Sequence, residues 1–265
     1  MPDTPTLHEV ARPPLILVLL AGCAAGPRID TRYSSRSQDS RVQYIVLHYT
    51  SEDLPGSLRQ LTQGEVSSHY LIDTKPATIY RLVEEDHRAW HAGNSQWRGR
   101  TWLNASSIGI ELVNLGYLDT PNGRLWYPYP AEQIDALIVL LKDIVKRHGL
   151  GPDAIIGHSD IAPLRKVDPG PLFPWKRLAE AGLVVWPDAR RVAELQARYA
   201  VQLPDVAWFQ EQLARHGYAL ERHGVLDAET RRIMAAFQMK YRPARFDGEP
   251  DAETAALLAT LNETG

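Results

Sequence analysis

Cysteine occurs once in 265 residues, at Cys23. A single thiol excludes an internal disulfide and any zinc site built from several thiolates. Excess charge of one sign is missing too: 29 Lys and Arg against 32 Asp and Glu leave a formal net charge of −3. That balance gives no electrostatic reason to expect a nucleic-acid partner. Long apolar runs are scarce. The one near the start, PLILVLLAGC at Pro14–Cys23, is far too short to span a bilayer.

What the chain does have is a proline-punctuated loop carrying reactive side chains, IIGHSDIAPLRKVDPGP at Ile155–Pro171. Its apolar opening reads as a buried strand. His158, Lys166 and Asp168 follow. Imidazole and carboxylate are zinc ligands, and a catalytic zinc takes three protein ligands and leaves one position open. Pro169 biases Asp168 toward extended backbone, which would turn Lys166 and Asp168 toward one side. A further histidine, His48, ends the apolar run YIVLHYT at Tyr44–Thr50. Two strands that each deliver a histidine suggest a shared edge, where catalytic residues tend to gather.

Other segments complete a layered fold. SSHYLIDTKPATIYRL (Ser67–Leu82) reads as two strands around a turn at Thr74–Ala77. SIGIELVN (Ser107–Asn114) alternates, with Ile108, Ile110 and Leu112 on one face and Gly109, Glu111 and Val113 on the other. Glu111 is then either a solvent-facing acid or one set beside the reactive loop, with Gly109 leaving room. Pro130–His148 has helical periodicity, proline in its first turn, basic residues in its last and Gly149 beyond. His148 there is a capping residue and not a ligand. Strands alternating with helices imply an α/β fold with a mixed central sheet flanked by helices. After Trp186-Pro187 the pattern becomes wholly helical. A connector helix over Asp188–Ala200 precedes three helices starting near Asp205, Asp227 and Asp251, each an N-cap-competent aspartate. Asp227–Thr230 and Asp251–Thr254 repeat D-A-E-T. Trp208, Phe209 and Phe237 are expected in the core of this small all-α three-helix domain.

Taken together, His48 after a strand, W-H-A-G at Trp90–Gly93, N-x-x-S-I-G-I-E at Asn104–Glu111 and G-H-S-D-I-A-P-x-R-K-x-D-P-G at Gly157–Gly170 resemble the type 2 N-acetylmuramoyl-L-alanine amidases, and among them the AmpD-type members. The resemblance covers about residues 41–182. It implies zinc bound by His48, His158 and Asp168, with Glu111 and Lys166 as catalytic acid and lysine. It also implies hydrolysis of the amide between N-acetylmuramic acid and L-alanine. Asp168 stands where phage and animal relatives often have cysteine. His69, Trp90, His91 and Asn104 are the expected substrate contacts, although His69 reads equally well as a structural histidine, and Trp90, Trp97 and Trp102 as buried or sugar-stacking. His87 is expected to be exposed. The region 201–261, with its F-Q, D-x-x-T and F-D-G signatures, resembles the peptidoglycan-binding type 1 module.

The expected organisation is a lipoprotein signal peptide (1–23), a serine-rich tether (24–40), the zinc amidase domain (41–182), a connector (183–200) and the peptidoglycan-binding domain (201–265). Leu20-Ala21-Gly22-Cys23 resembles a lipobox, with Cys23 as the lipidated residue. Asp3 and Glu9 depart from the basic start of such a segment. Ala24 after the cysteine resembles an outer-membrane address, giving a periplasmic enzyme anchored to the inner face of that membrane. The expected partner is peptidoglycan or a muropeptide, with no protein partner and no nucleic acid. Two alternatives stand beside the amidase: a non-catalytic peptidoglycan-binding lipoprotein on the same fold, and a zinc peptidase cutting within the stem peptide.

Overall fold

The computed structural model describes residues 26–263. The expected signal segment and Cys23 lie outside the described residues. Residues 26–38 form no helix or strand and are exposed. A separate compact unit begins at Asp39. No helix among the described residues is long and apolar enough to cross a membrane.

In chain order the unit carries β1 (Tyr44–Tyr49), α1 (Leu54–Gln63), β2 (Tyr70–Ile72), β3 (Ile79–Arg81), the short pair β4 (Gln96–Trp97) and β5 (Arg100–Thr101), α2 (Leu103–Ser106), and β6 (Ser107–Leu112). The hairpin β7 (Tyr117–Thr120) and β8 (Gly123–Trp126) follows, then α3 (Ala131–His148), β9 (Ile155–Gly157), α4 (His158–Ile161) and α5 (Trp175–Glu180). The chain ends in α6 (Ala189–Val201), α7 (Val206–His216), α8 (Ala228–Tyr241) and α9 (Ala252–Glu263). The central sheet is mixed, in the order β3-β2-β6-β1-β9. β1 runs parallel to β6 and β9, β2 runs parallel to β6, and only β3 is antiparallel to its neighbour.

The two-residue period of a strand divides this sheet into two chemically different faces. Ile45 and Leu47 of β1, and Ile108, Ile110 and Leu112 of β6, pack with Ile134, Leu137, Leu141 and Ile144 of α3. That helix stops where Gly149 takes φ 66°, a left-handed conformation that glycine adopts without penalty. Val46 and Ile156 point the other way. They share a core with Phe209, Leu213, Ile233, Phe237 and Leu258 of α7, α8 and α9. The helical region is thus packed directly onto the sheet, and α6 lies along α9.

The D-A-E-T repeat is a recurring hydrogen-bond unit. Asp205, Asp227 and Asp251 each accept from the backbone N–H three residues on, at 2.9, 2.8 and 2.8 Å. Gln210, fully buried, donates to Val225 O and Thr230 Oγ1 and accepts from Gly224 N. Gln238 repeats this with Glu249 O, Thr254 Oγ1 and Gly248 N. In both copies a glutamine amide satisfies the loop that leads into the next helix, which is how a buried amide avoids the cost of lost hydration.

Candidate active site

Strand parity and register assemble the site. His48 follows Val46 by two residues, so its side chain leaves the sheet on the face covered by the helical region. In the parallel β1–β6 pair the Cα partner of His48 is Glu111, which lies on that same face. Gly157 of β9 is paired with Leu47, so His158 emerges one residue later, level with His48. The loop after α4 then returns Asp168 to both: the Asp168 carbonyl accepts from Ser159 N at 2.8 Å.

Three atoms converge there. His48 Nδ1 lies 2.9 Å from His158 Nδ1 and 3.1 Å from Asp168 Oδ2, and His158 Nδ1 lies 3.0 Å from Asp168 Oδ2. All three residues are buried. Burial, reinforced by the neighbouring His158, pulls His48 down to about 4 against the partial support of Asp168. Burial would raise Asp168, but His158 and His48 more than offset it and hold the carboxyl well below the usual carboxylate range. At neutral pH the cluster therefore offers a neutral imidazole at His48 and a carboxylate at Asp168. A donor set of two imidazole nitrogens and one carboxylate oxygen fits a divalent cation such as zinc.

Glu111 Oε2 is buried and has no hydrogen-bond partner among the described residues. Burial, with the charge of Asp168 added, pushes its carboxyl up to about 8, and Lys166 works against that rise. The cleft above these groups is ≈ 440 Å³ and includes Trp90, His91, Tyr117, Arg165 and Lys166 in its wall. Lys166 begins from a turn, its N–H bonded to Ala162 O at 3.0 Å. The expected extended run is therefore replaced by a tight return, yet Lys166 and Asp168 still line one cleft.

A family model described as N-acetylmuramoyl-L-alanine amidase matches residues 38–171. AmiD, an N-acetylmuramoyl-L-alanine amidase of Escherichia coli K12, is 44% identical over 261 residues, covering 93% of this chain and 94% of that one. The chain belongs to the N-acetylmuramoyl-L-alanine amidase family. The amidase also resembles the 1,6-anhydro-N-acetylmuramyl-L-alanine amidase AmpD of Enterobacter cloacae, 42% identical over 66% of this chain and 79% of that one. Among solved structures, AmiD from E. coli in complex with anhydro-N-acetylmuramic acid-L-Ala-D-γ-Glu-L-Lys gives a TM-score of 0.83 at 44% identity, covering 90% of this chain and 95% of that one. AmpDh3 from Pseudomonas aeruginosa gives 0.84 at 40% identity, covering 90% and 99%. A second family model, described as a peptidoglycan binding domain, matches residues 202–258. The amidase is thus an enzyme that hydrolyses the amide between N-acetylmuramic acid and L-alanine of peptidoglycan or muropeptides. The non-catalytic binder and the stem-peptide peptidase give way to that activity.

The amidase distributes the remaining expected site residues unevenly. Trp90 is 49% exposed at the cleft, with the Arg88 guanidinium 4.1 Å over its ring. Trp97 is a core residue, and Trp102, 78% exposed, is not in the cleft wall. His69 does not reach the cleft. It is fully buried, its Nδ1 accepts from Gly109 N at 3.0 Å and its Nε2 faces His87 O at 3.2 Å, so both nitrogens hold backbone. Asn104 does not reach it either: its Oδ1 accepts from His91 N and Ala92 N at 3.0 and 2.7 Å. His87 is exposed, and His148 pairs with Glu85 at 2.8 Å as well as closing α3. Arg165, overlooked in the sequence, donates to Asn94 O at 2.8 Å and to Ala92 O, clamping the W-H-A-G loop beside His158. Its sequence signal is its place in the G-H-S-D-I-A-P-x-R-K-x-D-P-G pattern, directly before Lys166.

Proposed function

We propose that this enzyme is a zinc-dependent amidase in which His48, His158 and Asp168 hold the metal, and Glu111 and Lys166 carry the proton transfer and charge stabilisation. The observation that carries this reading is the convergence of three buried ligand atoms, all within 4.8 Å of one another, next to an acid with an unpartnered oxygen. When bound, zinc supplies Lewis acidity, which polarises a carbonyl and acidifies water. Glu111, one strand away from His48, takes a proton from the attacking water and returns one to the leaving amine of L-alanine. Its raised affinity for protons suits the second task, and the charge of a cation held by the three ligands would oppose that rise for the first. Lys166, in the cleft wall, stabilises the negative charge that develops on the carbonyl oxygen. Trp90 offers exposed ring surface for the glycan, half-buried Tyr117 lines the same cleft, and His91 acts within the wall.

The reading extends to the rest of the chain. Residues 41–182 form the catalytic domain, and 201–265, after the connector at 183–200, hold the polymer. Support for the latter comes from the peptidoglycan-binding match over 202–258. The run ending in Cys23 is proposed as a lipoprotein signal, which would tether the enzyme through residues 24–40 to the inner face of the outer membrane. The E. coli AmiD structure holds the substrate anhydro-N-acetylmuramic acid-L-Ala-D-γ-Glu-L-Lys and AmpD is named a 1,6-anhydro-N-acetylmuramyl-L-alanine amidase, so soluble 1,6-anhydro fragments and intact sacculus are the two substrates to compare.

The test is digestion of purified peptidoglycan by protein lacking residues 1–23, with product masses and metal content measured on one sample. Stem peptides beginning at L-alanine, about one zinc per chain, and loss of both in Asp168→Ala are expected. Glu111→Gln should keep the zinc and lose at least about 100-fold in turnover. Full activity in a zinc-free sample, or in Glu111→Gln, would overturn the assignment.

A further inference from the structure

The histidines of the proposed metal site make a second set of contacts, on the side away from Asp168. His48 Nε2 lies 3.0 Å from His91 Nδ1. His91 Nε2 lies 3.2 Å from Ser107 Oγ. Ser107 Oγ lies 2.5 Å from the Leu103 carbonyl oxygen. Each ring nitrogen in this row can donate or accept, so the distances alone leave its direction open. The last member closes that freedom, because a carbonyl oxygen only accepts. The single hydroxyl proton of Ser107 must go to Leu103 O. Ser107 Oγ must then accept, which puts a proton on His91 Nε2 and leaves His91 Nδ1 bare. Bare Nδ1 must accept in turn, so His48 carries its proton on Nε2. His48 Nδ1 is left with a free lone pair pointing at Asp168 and His158.

We propose that His91 is a positioning residue for the metal centre, transmitting the fixed polarity of the Leu103 carbonyl to His48 and so holding that ligand in its metal-binding tautomer. The proposal rests on the reading of His48 as a ligand. His158 is held by the same loop: its Nε2 lies 3.2 Å from the Ala92 carbonyl, which only accepts, and 3.4 Å from Arg165 Nη2, which only donates. The W-H-A-G stretch therefore orients both imidazoles, one through a side chain and one through a carbonyl. The N-x-x-S-I-G stretch orients W-H-A-G in turn. Asn104 grips the N–H groups of His91 and Ala92, and Ser107 receives the His91 proton. Gly109 leaves the space in which the His91 ring sits: a Cβ there would stand 2.4 Å from His91 Cγ. Two motifs that look like substrate contacts in the sequence thus form a support for the ligands. Outer partners of this kind fix ring orientation and tautomer in metal sites generally, and their loss costs about 10–100-fold in metal affinity or activity.

Leucine and asparagine have nearly the same shape, so His91→Leu and His91→Asn differ in the side-chain amide, whose oxygen can accept from His48 Nε2. The readouts are zinc affinity, by competition with a chromogenic chelator, and imidazole ¹⁵N shifts of the metal-free protein. The wild type should show His48 and His91 protonated at Nε2. His91→Leu should lose about 10–100-fold in zinc affinity with a mixed His48 tautomer, and His91→Asn should recover most of both. Ser107→Ala should lower the affinity less and loosen the His91 tautomer. Equal affinity in His91→Leu and His91→Asn, or a wild-type His48 protonated at Nδ1, overturns the proposal. If His91→Leu does not fold, the wild-type shifts and Ser107→Ala decide the matter alone. Wild-type protein that binds no zinc would instead remove the metal reading, and the tautomer measurement would still report on the hydrogen-bond row.

Discussion

Lys240→Met removes one half of an ion pair that links the last third of the chain to the loop bearing His158. Lys240 Nζ lies 2.8 Å from Asp160 Oδ2, with the two side chains 7% and 2% exposed. Asp160 also accepts from Gly157 N at 2.8 Å and from Tyr218 OH at 2.9 Å. Burial lowers Lys240, but the attraction of Asp160 and its surroundings wins and raises it, so Lys240 is charged at neutral pH. Removing one partner of a buried pair costs about 3–5 kcal/mol. Asp160 keeps two donors, which places this case near the low end, about 3 kcal/mol. With a urea slope of about 2–3 kcal/mol/M, the midpoint of unfolding should fall by about 1 M. Asp160→Asn in the same chain removes the stranded charge and should restore more than half of the loss, which a double-mutant cycle measures directly. Because Asp160 braces Gly157, next to His158, zinc affinity of Lys240→Met should fall along with stability. A midpoint shift below about 0.3 M, or a cycle with no coupling, would refute the reasoning.

Two further outcomes follow from other parts of the molecule. Glu85 is pushed up by burial but accepts from Arg147, Tyr70 and His148, and these bring its carboxyl down to about 2. A depressed acid stabilises the fold above its unfolded value near 4.5, and this contribution disappears as pH falls from there toward 2. The full shift corresponds to about 3 kcal/mol. Arg147 is 40% exposed, and solvent screening reduces this to about 1–2 kcal/mol. Glu85→Gln should therefore lower stability at pH 7 by that amount and flatten the loss between pH 4.5 and 2; an unchanged acid limb in denaturant titrations would count against it. Gly109→Ala forces a methyl into the His91 ring and should cost about 1–3 kcal/mol by thermal unfolding, with weakened zinc binding; a silent variant would mean that the ring has another place to go.

Local chemistry was readable from the chain. Alternation in SIGIELVN set Glu111 on the face opposite Ile108, Ile110 and Leu112, the apolar run YIVLHYT delivered His48 near a strand end, and the three capping aspartates marked where α7, α8 and α9 begin. Contacts between distant segments were not readable. Asp160 and Lys240 are 80 residues apart, and each alone looks like a surface charge; only the packing of α8 against α4 buries them together. The partners of His69 and Asn104 were not readable for a related reason, since they are backbone groups of a loop whose path local sequence does not define. The hairpin β7–β8 was passed over although T-P-N-G marks its turn. Its short strands present exposed Leu118 and Leu125, and so lack the apolar–polar alternation of a half-buried sheet.

The packing of Val46 and Ile156 against Phe209, Phe237 and Leu258 bears on how this enzyme meets a polymer. Where a binding module hangs on a flexible linker, linker length sets the effective concentration of the second site. Here that variable is absent, because the helices rest on the same sheet that carries His48 and Glu111. A glycan strand gripped by the helices would meet the cleft at one fixed offset, as though measured by a gauge. Lengthening the chain between α5 and α6 would not extend the reach, and exchanging the helical region for that of another protein would expose half of the catalytic sheet.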